Sequence, residues 1–170
     1  MTIPRELLPD DVREFVEERL EGLLAVPVER VRAARRSAMP DLGGVAALAR
    51  ALDELAAEPL AAVHEVFTRA QRIAGDAEAG PVDESLFAEP AERDLWFALG
   101  QARPGIASAR DREFETAFDA VAALAPTVER FFDEVLVMAE DAAVRENRLR
   151  LLLALRDAVG QLGDFSQIPL

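Results

Sequence analysis

Apolar residues recur along most of this chain at the three- and four-residue spacing that one face of a helix requires. The pattern is clearest near the end, where two segments place their apolar residues on one side of a helical wheel. The first carries Val128, Phe131, Phe132, Val135 and Leu136. The second carries Val144, Leu151, Leu152, Leu155, Ala158, Val159 and Leu162. No segment shows the alternation, bounded by turn signals, that is typical of a half-buried strand. The sequence therefore predicts an all-α fold, a single bundle of roughly seven to nine helices.

Prolines and glycines divide the chain into the predicted helices. These cover, to within several residues, positions 10–24, 28–37, 44–54, 59–74, 90–99, 112–124, 126–138 and 141–162. Positions 75–81 and Gly100–Arg110 are predicted loops, and positions 82–87 a short helix or turn. The apolar residues of the first helix are Phe15, Leu20, Leu23 and Leu24, and those of the fourth are Leu60, Val63, Phe67, Ala70 and Ala74. The tail is expected to pack back on the bundle through Phe165.

Composition and charge narrow the classes of function. The 170 residues suit one domain, and the lack of cysteine together with a single histidine argues against disulfides and metal sites. A net charge of −13 disfavours tight, unaided RNA binding, because phosphate contacts need local positive potential. The 19 basic residues are all arginines, however, which suit forked phosphate contacts and base stacking. No apolar run is long enough to span a bilayer, and Met1–Pro9 does not resemble a signal peptide, so we expect a cytoplasmic location.

The segment from Phe131 to Ser166 carries an ordered set of residues that is similar to the terminal segment of bacterial glycyl-tRNA synthetase beta subunits. The matching residues are Phe131, Phe132, Asp133, Val135, Val137, Met138, Glu140, Asp141, Arg145, Asn147, Arg148, Leu149, Asp164, Phe165 and Ser166. Positions 15–24, 69–73 and 82–95 resemble the same family more weakly. The family usually has Asn-Ile soon after the Arg-Ile pair that ends at Ile73, whereas here Ala74 and Gly75 follow.

The resemblance implies a fold and a function. Residues 1–170 would form one helical anticodon-binding domain, related to that of arginyl-tRNA synthetase, in the C-terminal part of a longer beta subunit. It would recognise the anticodon arm of glycine tRNA within an ATP-dependent ligase of two alpha and two beta subunits. The alpha subunit would carry the catalytic core with ATP and glycine, so this domain would need no cofactor. The implied partners are glycine tRNA, the rest of the beta subunit and the alpha subunit, with no membrane and no DNA.

Seven arginines are candidates for contact with the RNA. They are Arg30, Arg32, Arg35, Arg36, Arg69, Arg72 and Arg145. The first four form the densest basic cluster of an acidic chain, and the next two point away from the apolar face of the fourth helix. Arg145 lies at the edge of the last apolar arc, with Arg156 about three turns further along the same edge. Each has a structural alternative: Glu29 and Asp41 could balance the cluster, Glu65 or Asp76 could pair with Arg69 and Arg72, and Arg145 could lie on a solvated face.

The family motif also contains residues whose expected role is structural: Phe131, Phe132, Asp133, Asp141, Asn147 and Arg148. Arg148 falls inside the apolar arc, where a charge has to be paired or reach the edge of a pocket. The favoured interpretation is a salt bridge to Asp133 or Asp141 that locks the last two helices together. Asp141 is well placed to cap the last helix. His64 and Trp96 are interpreted as packed helix residues, and no catalytic residue is identified.

Two hypotheses of function follow. In the first, the bundle positions the anticodon arm without doing chemistry. In the second, it is an acidic module whose main contacts are with protein in the synthetase. A module from an arginyl-type synthetase is disfavoured by the Asp-Phe-Ser ending, and an independent enzyme is disfavoured further. Convergence of the candidate arginines on one face would favour RNA, and scattering of them with carboxylate partners would favour protein.

Overall fold

A computed structural model of the chain describes residues 4–75 and 77–169. Within these residues eight α-helices follow one another: α1 (Asp10–Leu23), α2 (Val28–Arg35), α3 (Leu42–Glu54), α4 (Ala57–Ala74), α5 (Pro90–Ala107), α6 (Phe114–Ala122), α7 (Ala125–Glu134) and α8 (Ala142–Gly160). One-turn 3-10 helices occur at Arg5–Leu7, Glu84–Leu86, Ser108–Asp111 and Phe165–Gln167. The described part of the chain contains no β-strand beyond an isolated bridge between Pro4 and Asp41. The prediction of an all-α bundle is confirmed.

The core is centred on the packing of α4 against α8. The predicted apolar face of α4 is buried in full, and so is the predicted arc of α8 apart from the half-buried Val144. Phe165 is fully buried, and its ring lies 5.7 Å from that of Phe67, so the tail packs on the bundle as expected. None of the described helices is long and apolar enough to cross a membrane.

The predicted loop at Gly100–Arg110 is wrong, because α5 continues through Gly100 and Pro104 to Ala107. A glycine and a proline inside a helix cost about 1 and 3 kcal/mol respectively. The burial of Leu99, Ala102 and Ile106, which extend the apolar stripe of α5, offsets that cost. Tertiary packing therefore overrides the local signal for a break.

The predicted helix over residues 126–138 ends early, at Glu134. Val135 is extended, and from there the side chains alternate as in a strand: Val135 and Val137 are buried, whereas Leu136 and Met138 are exposed. The helical assignment of Leu136 to the core face was therefore wrong. The extended segment brings the Leu136 carbonyl oxygen to 2.8 Å from Arg148 Nη1.

Arg148 is buried and pairs with Glu92 at the start of α5, not with Asp133 or Asp141 as predicted. Its Nε and Nη2 donate to the two carboxylate oxygens of Glu92 at 3.0 and 3.1 Å. Glu92 also accepts from the backbone N–H groups of Ala88 and Glu89, which caps α5. A completely buried carboxylate is thus satisfied on both oxygens. The pair locks α8 to α5 and to the segment after α7.

The other motif residues also support the fold. Asp141 caps α8 by accepting from the N–H groups of Ala143 and Val144. Asn147 is fully buried and forms two hydrogen bonds with the backbone of Asp83, so it holds the connection before α5 against α8. Phe131 is fully buried, with the ring of Phe132 edge-on at 5.4 Å. Asp133 is exposed, and no ion pair to it occurs among the described residues.

Candidate functional site

The basic cluster of α2 is largely engaged by carboxylates of α1. Arg32 and Arg35 approach Glu21 at 3.2 and 2.7 Å, and Arg35 Nε lies 3.6 Å from Glu17. Burial alone would raise the pKa of Glu21, but hydrogen bonds from the two arginines outweigh it and lower that pKa. Neither Glu29 nor Asp41, the partners expected from the sequence, forms a salt bridge with these two arginines. The hydrogen bond from Arg32 to Glu21 raises the pKa of Arg32, and the charge of Glu29 adds to that effect. Asp41 instead caps α3 and pairs with Arg112 at 3.5 Å.

The other two arginines of α2 differ in exposure. Arg30 is half-buried, and its Nε is buried without a hydrogen-bond partner among the described residues. Arg36 follows the last residue of α2 and is exposed. Of the four, Arg36 is therefore the one that is exposed and forms no salt bridge with a described residue.

The two candidate arginines on α4 also differ in their contacts. Arg69 pairs with Glu65 at 3.2 Å, as the structural alternative predicted, and its guanidinium lies 4.5 Å from the centre of the Phe132 ring. Arg72 is exposed, and it forms no salt bridge with any residue in the ranges 4–75 and 77–169. Asp76, its other expected partner, lies outside the described residues.

Arg145 is half-buried, and its guanidinium is bound to the backbone. Its Nη1 donates to the carbonyl oxygens of Ala139 and Glu140 at 2.8 and 3.3 Å. These contacts hold the connection between α7 and α8, a role that neither sequence interpretation foresaw. Its guanidinium is already bound to protein, and it is therefore a poor candidate for RNA contact.

A surface depression of about 470 Å³ lies where the ends of α2 and α8 meet the side of α4. Arg36 and Arg156 line it together with the carboxylates of Asp157 and Asp164. The amides of Gln71 and Gln161 and the ring of Phe67 complete the polar and apolar parts of the lining. Backbone hydrogen bonds build the junction: Ala38 N–H donates to the Gln161 carbonyl at 2.9 Å, and Asp164 N–H donates to the Ala33 carbonyl at 3.1 Å. The depression is thus fixed by the packing of the bundle.

Arg156 was recognised in the sequence only as a residue on the same helix edge as Arg145. In the fold, its Nη1 donates to the Gly75 carbonyl oxygen at 3.3 Å and its Nη2 to Asp157 at 2.8 Å. It therefore joins the C-terminal part of α8 to Gly75, the residue that follows α4. Arg36 and Arg156 thus line the depression, whereas Arg72 lies in the last turn of α4 and is not part of its lining.

The candidate arginines thus converge only in part. Arg32, Arg35 and Arg69 have carboxylate partners, and Arg145 is bound to backbone oxygens. Arg36 and Arg72 remain exposed and form no salt bridge with a described residue, whereas Arg156 pairs with Asp157 at 2.8 Å. The carboxylates of Asp157 and Asp164 balance the two arginines of the depression, and Arg36 is the lining arginine that forms no salt bridge with a described residue. The surface open to an anion is therefore small and localised, not a broad basic face.

Residues 60–164 match the family described as the DALR anticodon binding domain. That match covers more than half of the chain. The chain belongs to the DALR anticodon-binding domain family. The matched residues run from α4 to the segment after α8, so they include Gln71, Arg72 and Arg156 but not Arg36.

The chain is also similar to proteins named glycine–tRNA ligase beta subunit. It is 35% identical over 167 residues to that of Neisseria meningitidis (serogroup A), covering 95% of this chain and 24% of the relative. The Anaeromyxobacter dehalogenans protein is 33% identical over 171 residues, covering 96% and 24%. The Picosynechococcus protein is 50% identical over 93 residues, covering 52% and 13%. The chain therefore spans about a quarter or less of the length of these relatives, and the resemblance found in the sequence is confirmed.

Proposed function

We propose that this chain is the tRNA-binding module of a glycine–tRNA ligase beta subunit and that it contacts the anticodon arm of glycine tRNA. The observation that carries the proposal is the DALR anticodon-binding domain match, together with relatives of that name along nearly the whole chain. Residues 1–170 would act as one domain in the C-terminal part of the longer subunit. The module would bind and orient tRNA in the cytoplasm without catalysing, and it would need no cofactor.

The rest of the assembly is part of the same proposal. Ligation of glycine with ATP would take place on an alpha subunit, in an assembly of two alpha and two beta subunits. The remainder of the beta subunit would connect this module to that centre. Membranes and DNA have no part in the proposal.

The depression lined by Arg36 and Arg156 is the surface that suits RNA best. Guanidinium groups bind phosphate oxygens with paired, charge-assisted hydrogen bonds. The amides of Gln71 and Gln161 offer donors and acceptors that can read the edge of an unstacked base. Arg72, exposed in the last turn of α4, follows the lining residue Gln71 directly in the chain. Phosphate contacts of this kind would hold the arm in place, whereas amide contacts to bases would add specificity.

The acidic remainder of the chain limits the way in which RNA can approach. A net charge of −13 repels phosphate from most of the surface, so productive encounters would be confined to arginines without a carboxylate partner, such as Arg36 in the depression. Few phosphate contacts also imply a modest affinity that falls as salt is raised. Titrations therefore need low ionic strength.

We expect Arg36→Ala to weaken binding of a labelled glycine-tRNA anticodon stem-loop by about tenfold, the loss of one charge-assisted contact. The Arg36→Ala/Arg156→Ala pair should weaken it further and flatten the dependence of affinity on salt. Fluorescence anisotropy at low salt measures both quantities. Arg130→Ala is the matched control, since Arg130 is half-exposed on α7 and pairs with Asp94 and Glu134. Equal losses in the control and the Arg36 variant would locate the RNA elsewhere.

A further inference from the structure

Helix α1 turns a polar face toward the body of the domain. Its one buried residue is Glu17, which accepts from Arg5 at 2.6 Å and lies 3.6 Å from Arg35. One turn on, Glu21 binds Arg32 and Arg35, and Leu20 packs only at the margin of the core. Ion pairs to α2 and to the segment before α1 therefore hold this helix, with little help from apolar burial.

The apolar face of α1 points outward. Val12, Phe15 and Leu23 are 42%, 64% and 75% exposed, and Val16 is half-buried. At 100° per residue these four positions fall within an arc of about 100° on one side of the helix. We call them the α1 outer face. A helix on the surface of a domain normally buries this stripe and exposes its charges, so the reversed arrangement marks a contact surface.

The charges beside the α1 outer face identify what it can accept. Asp11 and Glu18 are exposed along one edge of the stripe, on the side of Phe15. Arg19 lies within the stripe and is also exposed. RNA is disfavoured by the carboxylates, whereas an apolar protein surface with a basic rim would pair with both the stripe and its edge.

A second copy of this chain fits poorly. Two chains with a net charge of −13 each repel one another, and the acidic edge would face no basic complement except Arg19. A stable interface of ordinary size also takes about 20 to 30 residues from each partner, far more than this stripe supplies. A small contact becomes effective when both surfaces belong to one polypeptide, because the effective concentration is then high.

We propose that the α1 outer face docks on an apolar, basic-rimmed surface of another domain of the same, longer subunit. This rests on the proposed function, in which the chain belongs to a glycine–tRNA ligase beta subunit. The relatives of that name are about four times as long as the segment they share with this chain, which provides the protein for such a surface. Docking would fix the anticodon-binding module relative to the remainder of the subunit through α1.

The test uses a photo-reactive p-benzoyl-phenylalanine in place of Phe15 in the intact subunit, with the same substitution at Phe97 as the control. Phe97 is exposed to a similar extent, 69%, on α5. Irradiation followed by peptide mapping should join position 15 to a segment of the same polypeptide outside these 170 residues, whereas position 97 should not join that segment. A second variant that adds Val12→Glu and Leu23→Glu should lose the cross-link while the melting temperature of the chain stays unchanged.

Three results would overturn the docking proposal: a cross-link from position 15 to a second copy of residues 4–169, a cross-link to tRNA, or the absence of any cross-link. The same variants separate this proposal from the tRNA function. The Val12→Glu and Leu23→Glu substitutions should leave stem-loop binding by the 170-residue chain unchanged, because α1 presents its outer face away from α2 and Arg36. Intact stem-loop binding without the cross-link would contradict docking alone, and the cross-link without stem-loop binding would contradict tRNA recognition alone.

Discussion

Replacing Arg148 with methionine is expected to destabilise the fold by about 3–5 kcal/mol, because it leaves the buried charge of Glu92 without its partner. Glu92 is completely buried, and Arg148 provides two of the four hydrogen bonds that its carboxylate accepts. Removing the arginine also leaves the Leu136 carbonyl without its donor. Methionine retains most of the apolar volume, so the loss reports the charge and its hydrogen bonds.

Urea unfolding followed by circular dichroism measures this loss. The double variant Glu92→Leu/Arg148→Met should recover a large part of it, since no buried charge is then left unpaired. A deficit of about 1 kcal/mol should remain, because Glu92 also caps α5. Arg130→Ala, which breaks two half-exposed pairs, should cost no more than about 1 kcal/mol. If Arg148→Met proves as mild as this control, the pair does not lock α8 to α5.

Gly163→Ala is expected to cost about 3 kcal/mol, by strain and by a backbone clash. Gly163 has φ +129°, a conformation that residues with a Cβ rarely adopt. An added Cβ would lie 2.6 Å from the Ala33 carbonyl oxygen, which already accepts from Asp164 N–H. The hydrogen bond from Asp164 to Ala33 joins the segment after α8 to α2. The variant should therefore also displace Arg36 and weaken stem-loop binding.

Gly100→Ala provides the matched control for that measurement. Gly100 lies within α5, and apart from its chain neighbours and the backbone of its own helix no described atom would be within 4 Å of an added Cβ. Alanine there should raise the free energy of unfolding by about 0.5–1 kcal/mol, since glycine is a poor helix former. A Gly163→Ala variant that unfolds at the same urea concentration as wild type would contradict the prediction, because it would show that the backbone near Ala33 moves aside at little cost.

The sequence predicts most of the helices because their apolar periodicity is local information. It also predicts that Arg148 is buried and held by a carboxylate. It does not predict which carboxylate, since Glu92 lies 56 residues away and meets Arg148 only after α5 and α8 have packed. The break in α7 is missed for a related reason: the apolar residues after Glu134 satisfy both a helical stripe and an alternating extended segment.

The candidate site shows the same limit. The sequence identifies a basic cluster on α2, but it does not show that α1 lays its carboxylates against Arg32 and Arg35. A helical wheel separates the two faces of α1 without saying which of them meets the domain, so the exposure of Phe15 and Leu23 was not foreseen. Arg36 and Arg156 are 120 residues apart along the chain, and only the junction of α2, α4 and α8 brings both to one depression.

The most direct measurement of the central proposal compares two RNA stem-loops that differ only in their anticodons. The 170-residue chain would be titrated at low salt against the glycine-tRNA anticodon stem-loop and against the same stem-loop with an exchanged anticodon. Recognition of the anticodon arm predicts tighter binding of the glycine loop by about tenfold or more, since one mismatched base contact is worth about 1–3 kcal/mol. Equal affinity for the two loops, or no binding to either, would contradict the proposal that this domain itself recognises the anticodon.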